Sequence, residues 1–156
     1  MKRALVTGAS GAIGSAICRR LAEADMQIIV HCNRNAEAAE RLAAEIQQHG
    51  NAQTVCFDVT DVDASAAALE QLLEQGPIQV VVNNAGLYDD APMPGMSRTQ
   101  WQRVIDVSLN GFYNVTQPLL LPAGKIRVLK FHLGQRGPAW PRHGTKAWKT
   151  ALARTR

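Results

Sequence analysis

Four short apolar runs alternate with four helical patterns along most of this 156-residue chain, and this alternation constrains the fold more than any single motif. The runs lie in the stretches RALVTG, MQIIVHC, QTVCF and IQVVVN. The segments that follow them carry apolar residues three and four positions apart, as one face of an α-helix requires. Strands that alternate with helices pair in parallel, because each helix returns the chain to the same end of the sheet. The sequence therefore predicts an α/β fold, a doubly wound parallel sheet between two layers of helices.

Two of the helices have well-marked starts. Asn35 can cap the second helix, and Ser97 with Gln100 has capping-box spacing ahead of the fourth. After residue 120 only residues 126–131 resemble a further strand, so we expect the fourth strand, residues 80–82, at or near an edge of the sheet. The faces expected to be buried in the first and fourth helices are Ile13, Ala16, Ile17, Leu21, Trp101, Val104, Ile105, Leu109 and Phe112.

Charge is distributed unevenly between two parts of the chain. Residues 1–122 contain eight Lys/Arg and 13 Asp/Glu, whereas residues 123–156 contain nine Lys/Arg and no acidic residue. A break of this kind is typical of a tail, a linker or a segment of different origin. We therefore expect residues 1–122 to form the folded domain and residues 123–156 to form a basic tail that is poorly ordered or non-native.

The cysteines and the apolar runs bear on the compartment. Cys18, Cys32 and Cys56 are odd in number, scattered and without a C-x-x-C pair, so they are expected to be small core residues in a reducing environment. No metal site is predicted. No apolar run is long enough to span a membrane, and no signal-peptide pattern precedes Gly8. These features favour a cytoplasmic protein.

The turn after the first strand, TGASGAIG at residues 7–14, is rich in glycine. Glycines let the backbone approach a ligand closely, and the amides at a helix start favour an anion such as a diphosphate. The alternative is a tight turn that only connects two elements. Because ligands of doubly wound sheets bind where strands end and helices begin, the position of this turn favours the ligand.

Polar residues also follow the next three strands. After the second come Asn33 and Arg34, with no carboxylate to accept from a ribose 2′-hydroxyl; Arg34 either pairs with a 2′-phosphate or is a solvated surface residue. After the third comes Asp58, which either accepts from an adenine amino group or caps a turn. After the fourth comes NNAG at residues 83–86, which either receives a flat ring or forms an Asx turn.

Together these turns resemble the short-chain dehydrogenases/reductases, from Met1 to about Pro122. The resemblance rests on TGASGAIG, on Asp58-Val59, on NNAG and on Asn110 within VIDVSLNGFYNVTQ. The stretch VHCNRNAEAAERLAAEI is further similar to the NADP-dependent 3-oxoacyl-[acyl-carrier-protein] reductase branch. The resemblance implies an incomplete Rossmann-type fold, and in the intact family a homo-oligomer, which is not expected of a half-sheet that lacks the later helices.

The resemblance also implies site roles. Asn110 would hold the water of a proton relay, and Arg34 would favour NADP over NAD. Hydride would pass to the carbonyl of a small molecule or of an acyl group on its carrier protein. The residues implied to bind the cofactor are Thr7, Gly8, Ser10, Gly11, Ala12, Ile13, Gly14, Asn33, Arg34, Asp58, Val59, Asn84, Ala85 and Gly86.

The proton donor of that chemistry is missing from the sequence. Carbonyl reduction needs an acid for the developing alkoxide, which the family supplies as a tyrosine with a lysine four residues later and a serine upstream. Here Pro92 and Gln117 stand four residues after Tyr88 and Tyr113, and no serine follows Ser108. We therefore expect hydride transfer to fail in this chain as written, which leaves a module that only holds NADP(H) as the alternative.

Three explanations fit the basic tail. It is an arm for nucleic acid or an acidic partner, with Trp140 and Trp148 for stacking, which is the least favoured because its spacing matches no known module. It belongs to a truncated, non-catalytic protein. Or it results from a shifted reading frame, which we favour: read from the last base of its lysine codon, the stretch from Lys130 to Leu133 permits Ile/Val followed by two Ser/Pro positions, close to the serine region that the family carries.

Overall fold

Five parallel strands form one sheet in the computed structural model, which describes residues 1–89, 91–120 and 126–130. The order across the sheet is β3-β2-β1-β4-β5, so β1 lies at the centre and the chain crosses over it between β3 and β4. This arrangement confirms the predicted doubly wound α/β fold. The strands are β1 Lys2–Val6, β2 Met26–Cys32, β3 Ala52–Cys56, β4 Val80–Asn83 and β5 Arg127–Lys130.

The helices cover both faces of the sheet. Strand side chains alternate between the two faces, so Ala4 and Val6 lie in the core beneath α1 and α2, whereas Leu5 lies in the core beneath α3 and α5. The predicted three layers are therefore confirmed. The helices are α1 Ala12–Ala22, α2 Ala36–Gln47, α3 Val62–Glu74, α4 Arg98–Ile105 and α5 Gly111–Leu120; a 3₁₀ turn at Met93–Gly95 precedes α4, and a π-helical turn at Asp106–Asn110, here called the π-turn, joins α4 to α5.

The predicted helix starts are confirmed. The side chain of Asn35 accepts a hydrogen bond from the backbone N–H of Ala38 at 3.1 Å. At the start of α4 the Ser97 hydroxyl accepts from the Gln100 backbone and the Gln100 side chain accepts from the Ser97 backbone, which completes the capping box. Each cap satisfies backbone donors that have no partner within the helix.

The prediction of which helix residues are buried is wrong in part. Ile13 is 42% exposed, because α1 turns Gly14, and not Ile13, towards the loop that precedes it. Ala16, Trp101 and Leu109 are also exposed. The π-turn explains the exposure of Leu109, since one extra residue in a helical turn rotates the succeeding residues about the helix axis by about 100°. The buried residues of α5 are Gly111, Val115, Thr116 and Leu119.

The sheet continues past the predicted boundary at residue 122. β5 pairs with β4 from Val80↔Arg127 to Asn83↔Lys130, so residues 80–82 lie near an edge of the sheet, as one form of the prediction has it, and not at the edge itself. The edges of the described sheet are β3 and β5. The remainder of the predicted tail, including Trp140 and Trp148, lies outside the described residues.

The expectation of small core residues is correct for Cys18, which is buried and free, and for Cys32, which is also buried, and it is wrong for Cys56. Cys32 and Cys56 are register partners on neighbouring strands, with Cα atoms 4.8 Å apart, and a disulfide joins them. Cys56 is exposed rather than buried, because β3 forms an edge of the sheet.

None of the helices within the described ranges has the length and apolar character needed to cross a membrane.

Candidate functional site

The turn between β1 and α1, residues 7–14, is here called the glycine loop, and two of its glycines are required by geometry. Gly8 has a φ of +62°, in the left-handed region that side chains rarely adopt. Gly14 lies so close to the start of the loop that a Cβ there would stand 2.4 Å from the Gly8 carbonyl oxygen. The Gly11 N–H donates to that same oxygen at 3.2 Å, which closes the loop.

Four hydrogen bonds join the glycine loop to Asn84 and Ala85, directly after β4. Thr7 Oγ1 accepts from the backbone N–H groups of Asn84 at 3.0 Å and Ala85 at 2.9 Å. The Asn84 side chain returns two bonds, donating Nδ2 to the carbonyl oxygens of Thr7 and Gly8, both at 3.0 Å. The NNAG segment is therefore tied to β1 and is not an independent turn. The structure thus brings the first and fourth predicted segments together at the carboxyl edge of the sheet.

His31, at the end of β2, supports the glycine loop from beneath. Its Nδ1 accepts a hydrogen bond from the Gly8 N–H at 3.1 Å. Because Nδ1 is the acceptor, the neutral ring carries its proton on Nε2, which donates to the Phe57 carbonyl oxygen at 3.0 Å. The imidazole also packs edge-on against the Phe57 ring, with 4.3 Å between centroids. Burial lowers the pKa of His31 to about 4, so the ring is neutral near pH 7.

Asp58 gathers three donors beyond the end of β3. Its Oδ1 accepts from the backbone N–H of Thr60 at 2.9 Å and from the Thr60 hydroxyl at 2.8 Å, and its Oδ2 accepts from Asn33 Nδ2 at 3.1 Å. The Thr60 backbone bond is the main cause that holds the pKa of Asp58 below its usual range, and the positive charge of Arg34 acts in the same direction. Asn33, Arg34 and Asp58 are therefore neighbours, as a shared ligand site requires.

The start of α1 is open to an anion. No side chain caps this end of the helix, and its first turn contains no acidic residue. Gly11 and Ala12 are exposed there, and Ser10 is half-buried beside them. Backbone N–H groups at a helix start carry partial positive charge and favour phosphate. The residues present therefore fit the diphosphate of a dinucleotide, with the close approach that Gly11 permits.

A cleft lies on the other side of the glycine loop, above β4 and β5. It is lined by Thr7, Val59, Asn83, Ala85, Val107, Ser108, Gly111, Phe112 and Lys130. Lys130 is the charged residue among these. Its ammonium donates to the backbone oxygen of Ser108 in the π-turn and lies 5.0 Å from the centre of the Phe112 ring. Gly111 admits Val59 to this wall, since a Cβ there would meet Val59 Cγ2 at 2.7 Å.

Asn110 lies in the π-turn beside this cleft. Its side chain is exposed and donates to Asp106 Oδ1 at 2.8 Å, and the same oxygen accepts from Gln102 Nε2 at 2.9 Å. Its role in a proton relay stays a prediction. The two tyrosines are 72% and 63% exposed, for Tyr88 and Tyr113, and neither lines the cleft.

Four residues of this region were not identified from the sequence. His31 and Thr60 support the predicted site, and Gly111 and Lys130 shape the cleft. A histidine in an otherwise apolar strand was the available signal for His31. Lys130 carries no such signal, because it stands in the basic segment and reaches the cleft only through the pairing of β5 with β4.

Comparison with known proteins agrees with this geometry. Residues 2–125 match the model of the family described as short chain dehydrogenase. The chain belongs to this family. The match covers the glycine loop, the ends of β2, β3 and β4, and the π-turn, which are the segments of the candidate site in this short-chain dehydrogenase chain.

Individual relatives extend the comparison. The 3-oxoacyl-[acyl-carrier-protein] reductase FabG of Aggregatibacter actinomycetemcomitans is 41% identical over 120 residues, which are 76% of this chain and 50% of that protein. The chain thus spans about half the length of this relative. An acetoacetyl-CoA reductase of Acinetobacter is 34% identical over an alignment that covers 97% of this chain and 67% of that protein, so it reaches into the basic segment.

A solved structure shows the same architecture. The alcohol dehydrogenase of the archaeon Thermococcus sibiricus, complexed with 5-hydroxy-NADP, superposes with a TM-score of 0.78 at 29% identity. The superposition covers 83% of this chain and 57% of that one. The short-chain dehydrogenase fold of this chain is therefore found in a protein whose structure contains a nicotinamide nucleotide derivative.

Proposed function

We propose that this chain forms the dinucleotide-binding part of an NADP-dependent oxidoreductase. The observation that carries the proposal is the pair of hydrogen bonds that Thr7 Oγ1 accepts from the backbone N–H groups of Asn84 and Ala85. These bonds fix the glycine loop against the end of β4. The open start of α1 would receive the diphosphate, and Asp58 with Val59 would meet the adenine. Asn84, Ala85 and Gly86 would line the ribose and nicotinamide side.

The preference for NADP over NAD is supported by the charge after β2. Asn33 and Arg34 occupy the place where a carboxylate would bind a ribose 2′-hydroxyl, and Asn33 is engaged with Asp58. Arg34 is exposed, and its charge acts on Asp58. A guanidinium in this position suits a 2′-phosphate, which it can bind through two parallel hydrogen bonds.

Two relatives support a substrate class for the proposed reductase. Both reductases described above act by name on acyl thioesters or acyl groups of a carrier protein. We propose carbonyl reduction of a 3-oxoacyl thioester, small or carrier-bound, in the cytoplasm. The bound nicotinamide would supply the hydride, and Asn110 would hold a water molecule for the proton.

This chain as written is proposed to bind the nucleotide without turning it over. The cleft offers the ammonium of Lys130 and the hydroxyls of Thr7 and Ser108, while Tyr88 and Tyr113 are turned to solvent elsewhere. A tyrosine with its lysine is absent from the whole sequence, so the alkoxide would lack its usual acid. The second candidate function, a module that holds NADP(H) without chemistry, is favoured by this same observation.

Calorimetric titration of the full chain with NADPH, followed by an absorbance assay with acetoacetyl-CoA, tests both candidates. We expect the chain to bind NADPH and Gly14→Ala to abolish this binding. We expect NADPH to be oxidised no faster with the chain than in a mixture of NADPH and substrate without protein. Turnover would contradict the proposed defect and support a reductase. Failure of NADPH and NADH to bind the folded chain would overturn the proposed function.

A further inference from the structure

Cys32 and Cys56 form a pair of sulfur atoms with unequal access to solvent. They are register partners at the ends of β2 and β3, and the described structure joins them as a disulfide. Cys32 is completely buried in the core beneath α2, whereas Cys56 is exposed on the edge strand. Their Cα separation of 4.8 Å lies within the range that a disulfide spans without backbone movement. The bond can therefore open and close within the same sheet.

The pair stands next to the groups that meet the adenosine part of the proposed ligand. The residue after Cys32 is Asn33, and its amide donates to Asp58, two residues after Cys56. Between them the Phe57 N–H donates to the Cys32 carbonyl oxygen at 3.1 Å, the last rung described between these two strands. The disulfide thus reinforces the strand ends from which Asn33 and Asp58 extend.

We propose that Cys56 and Cys32 form a thiol-modification site for hydroperoxides, at which closure of the disulfide holds the ends of β2 and β3 in the arrangement that binds the nucleotide. The nucleotide part of this inference rests on the proposed function. In a reducing compartment such a bond would form transiently, as is usual for disulfides of redox-sensing proteins. A link that limits the motion of two binding segments reduces the entropy lost when the ligand binds.

The chemistry requires one hydroperoxide for each closed bond. The exposed Cys56 thiolate attacks the peroxide and becomes a sulfenic acid, and an alcohol leaves, or water in the case of hydrogen peroxide. The Cys32 sulfur then attacks the Cys56 sulfur and water leaves, so two thiols lose two electrons and two protons in all. A dithiol reductant reverses the reaction by exchange and carries away the electron pair as its own disulfide.

Cys18 provides the internal control. It is buried in α1, and burial raises its pKa to about 12. Near pH 7 it is therefore protonated, and a protonated thiol is not the nucleophile that attacks a peroxide. Replacement of Cys18 by alanine leaves both members of the pair in place. The variants Cys56→Ser and Cys32→Ala each remove one member, and comparison of the two separates the accessible sulfur from its buried partner.

The experiment treats the full chain with dithiothreitol, removes it, adds hydrogen peroxide and measures the intact mass and the linked peptide. We expect a mass loss of two hydrogens and a link between the peptides of Cys32 and Cys56, in wild type and in Cys18→Ala. Trapping with dimedone should label Cys56 in Cys32→Ala and nothing in Cys56→Ser. Labelling of Cys32 or Cys18 instead, or no link at all, would overturn the site.

The effect on the strand ends is measured separately, by hydrogen exchange and by NADPH titration of both redox forms. Oxidation should slow exchange in residues 31–34 and 57–60 and lower the Kd for NADPH by about threefold. Cys56→Ser should match the reduced form under all conditions. Equal exchange in the two forms would overturn the coupling. If neither form binds NADPH, the proposed function fails, while the exchange and mass results still decide the inference.

Discussion

The imidazole of His31 accepts a hydrogen bond from the Gly8 N–H at 3.1 Å and joins the glycine loop to the end of β3 through Phe57. Gly8 therefore donates its amide to a protein partner and does not offer it to a ligand. Any diphosphate at this site would depend on the amides at the start of α1 instead.

This buried histidine should make stability depend on pH. Its pKa is about 4 in the folded chain and near 6.5 in the unfolded chain, so between these values the unfolded state binds more protons. The contribution of His31 to the free energy of unfolding should be constant above pH 6.5. It should fall by about 3 kcal/mol as the pH drops to 4. Urea titrations between pH 4 and 7.5 measure it, and His31→Gln should show a flatter profile; an unchanged slope would contradict the assignment.

Gly14 should tolerate no side chain. In Gly14→Ala the new Cβ would meet the Gly8 carbonyl oxygen and the Ala9 Cα, both backbone atoms that cannot move aside cheaply. We expect a loss of about 1–3 kcal/mol in the free energy of unfolding, together with loss of NADPH binding. Gly95→Ala is the matched control, since nothing lies within 4 Å of a Cβ there, and it should unfold like the wild type.

Thr7 should matter through its oxygen. Thr7→Val has the same shape but leaves the part-buried N–H group of Ala85 without its acceptor, at a cost of about 1–3 kcal/mol. The Asn84 N–H loses one of two acceptors, since it also donates to the Val82 carbonyl oxygen at 3.0 Å. Thr7→Ser keeps the hydroxyl and should recover most of the stability. Urea denaturation of the three proteins checks this, and equal midpoints for the valine and serine variants would rule out the role assigned to the hydroxyl.

Arg34 should determine the choice of nucleotide. Arg34→Glu replaces the proposed partner of the 2′-phosphate by a carboxylate, so NADPH affinity should fall about tenfold or more, the equivalent of one charge-assisted hydrogen bond, while NADH affinity is retained or rises. Lys2→Glu makes the same change of net charge and serves as the control. Lys2 is the first residue of β1, at the end of the strand away from the candidate site. Parallel calorimetric titrations with both nucleotides decide the matter; an equal loss for the two would place Arg34 outside the 2′-phosphate site.

The sequence predicted the sheet and the site's outline because both depend on local patterns. The apolar runs of β1, β2 and β4 are continuous, as strands covered on both faces require, and the capping residues Asn35 and Ser97 mark their helices directly. The polar segments after the strands came together because parallel strands end at one edge of a sheet.

Other features were beyond the reach of local patterns. The π-turn leaves no periodic signature of its own, so the faces of α4 and α5 were predicted as one helix and Leu109 was assigned to the core. The link between Cys32 and Cys56 depends on the register of β2 against β3, which the two separate runs do not specify. The position of β4 one strand in from the edge likewise depended on β5, a strand whose four residues include two basic ones.

The strand order also has a consequence for how the chain reaches its native state. β1, β2 and β3 follow one another in sequence and lie side by side, so their pairing closes only short loops, whereas β4 must return to β1 across the first three strands. The bond from Asn84 to Thr7 spans 77 residues, and the entropy of closing that loop is lost before any contact compensates for it. We expect the first three strands to assemble early and the two halves of the site to meet late. The chain would then become able to bind its nucleotide only when folding is complete.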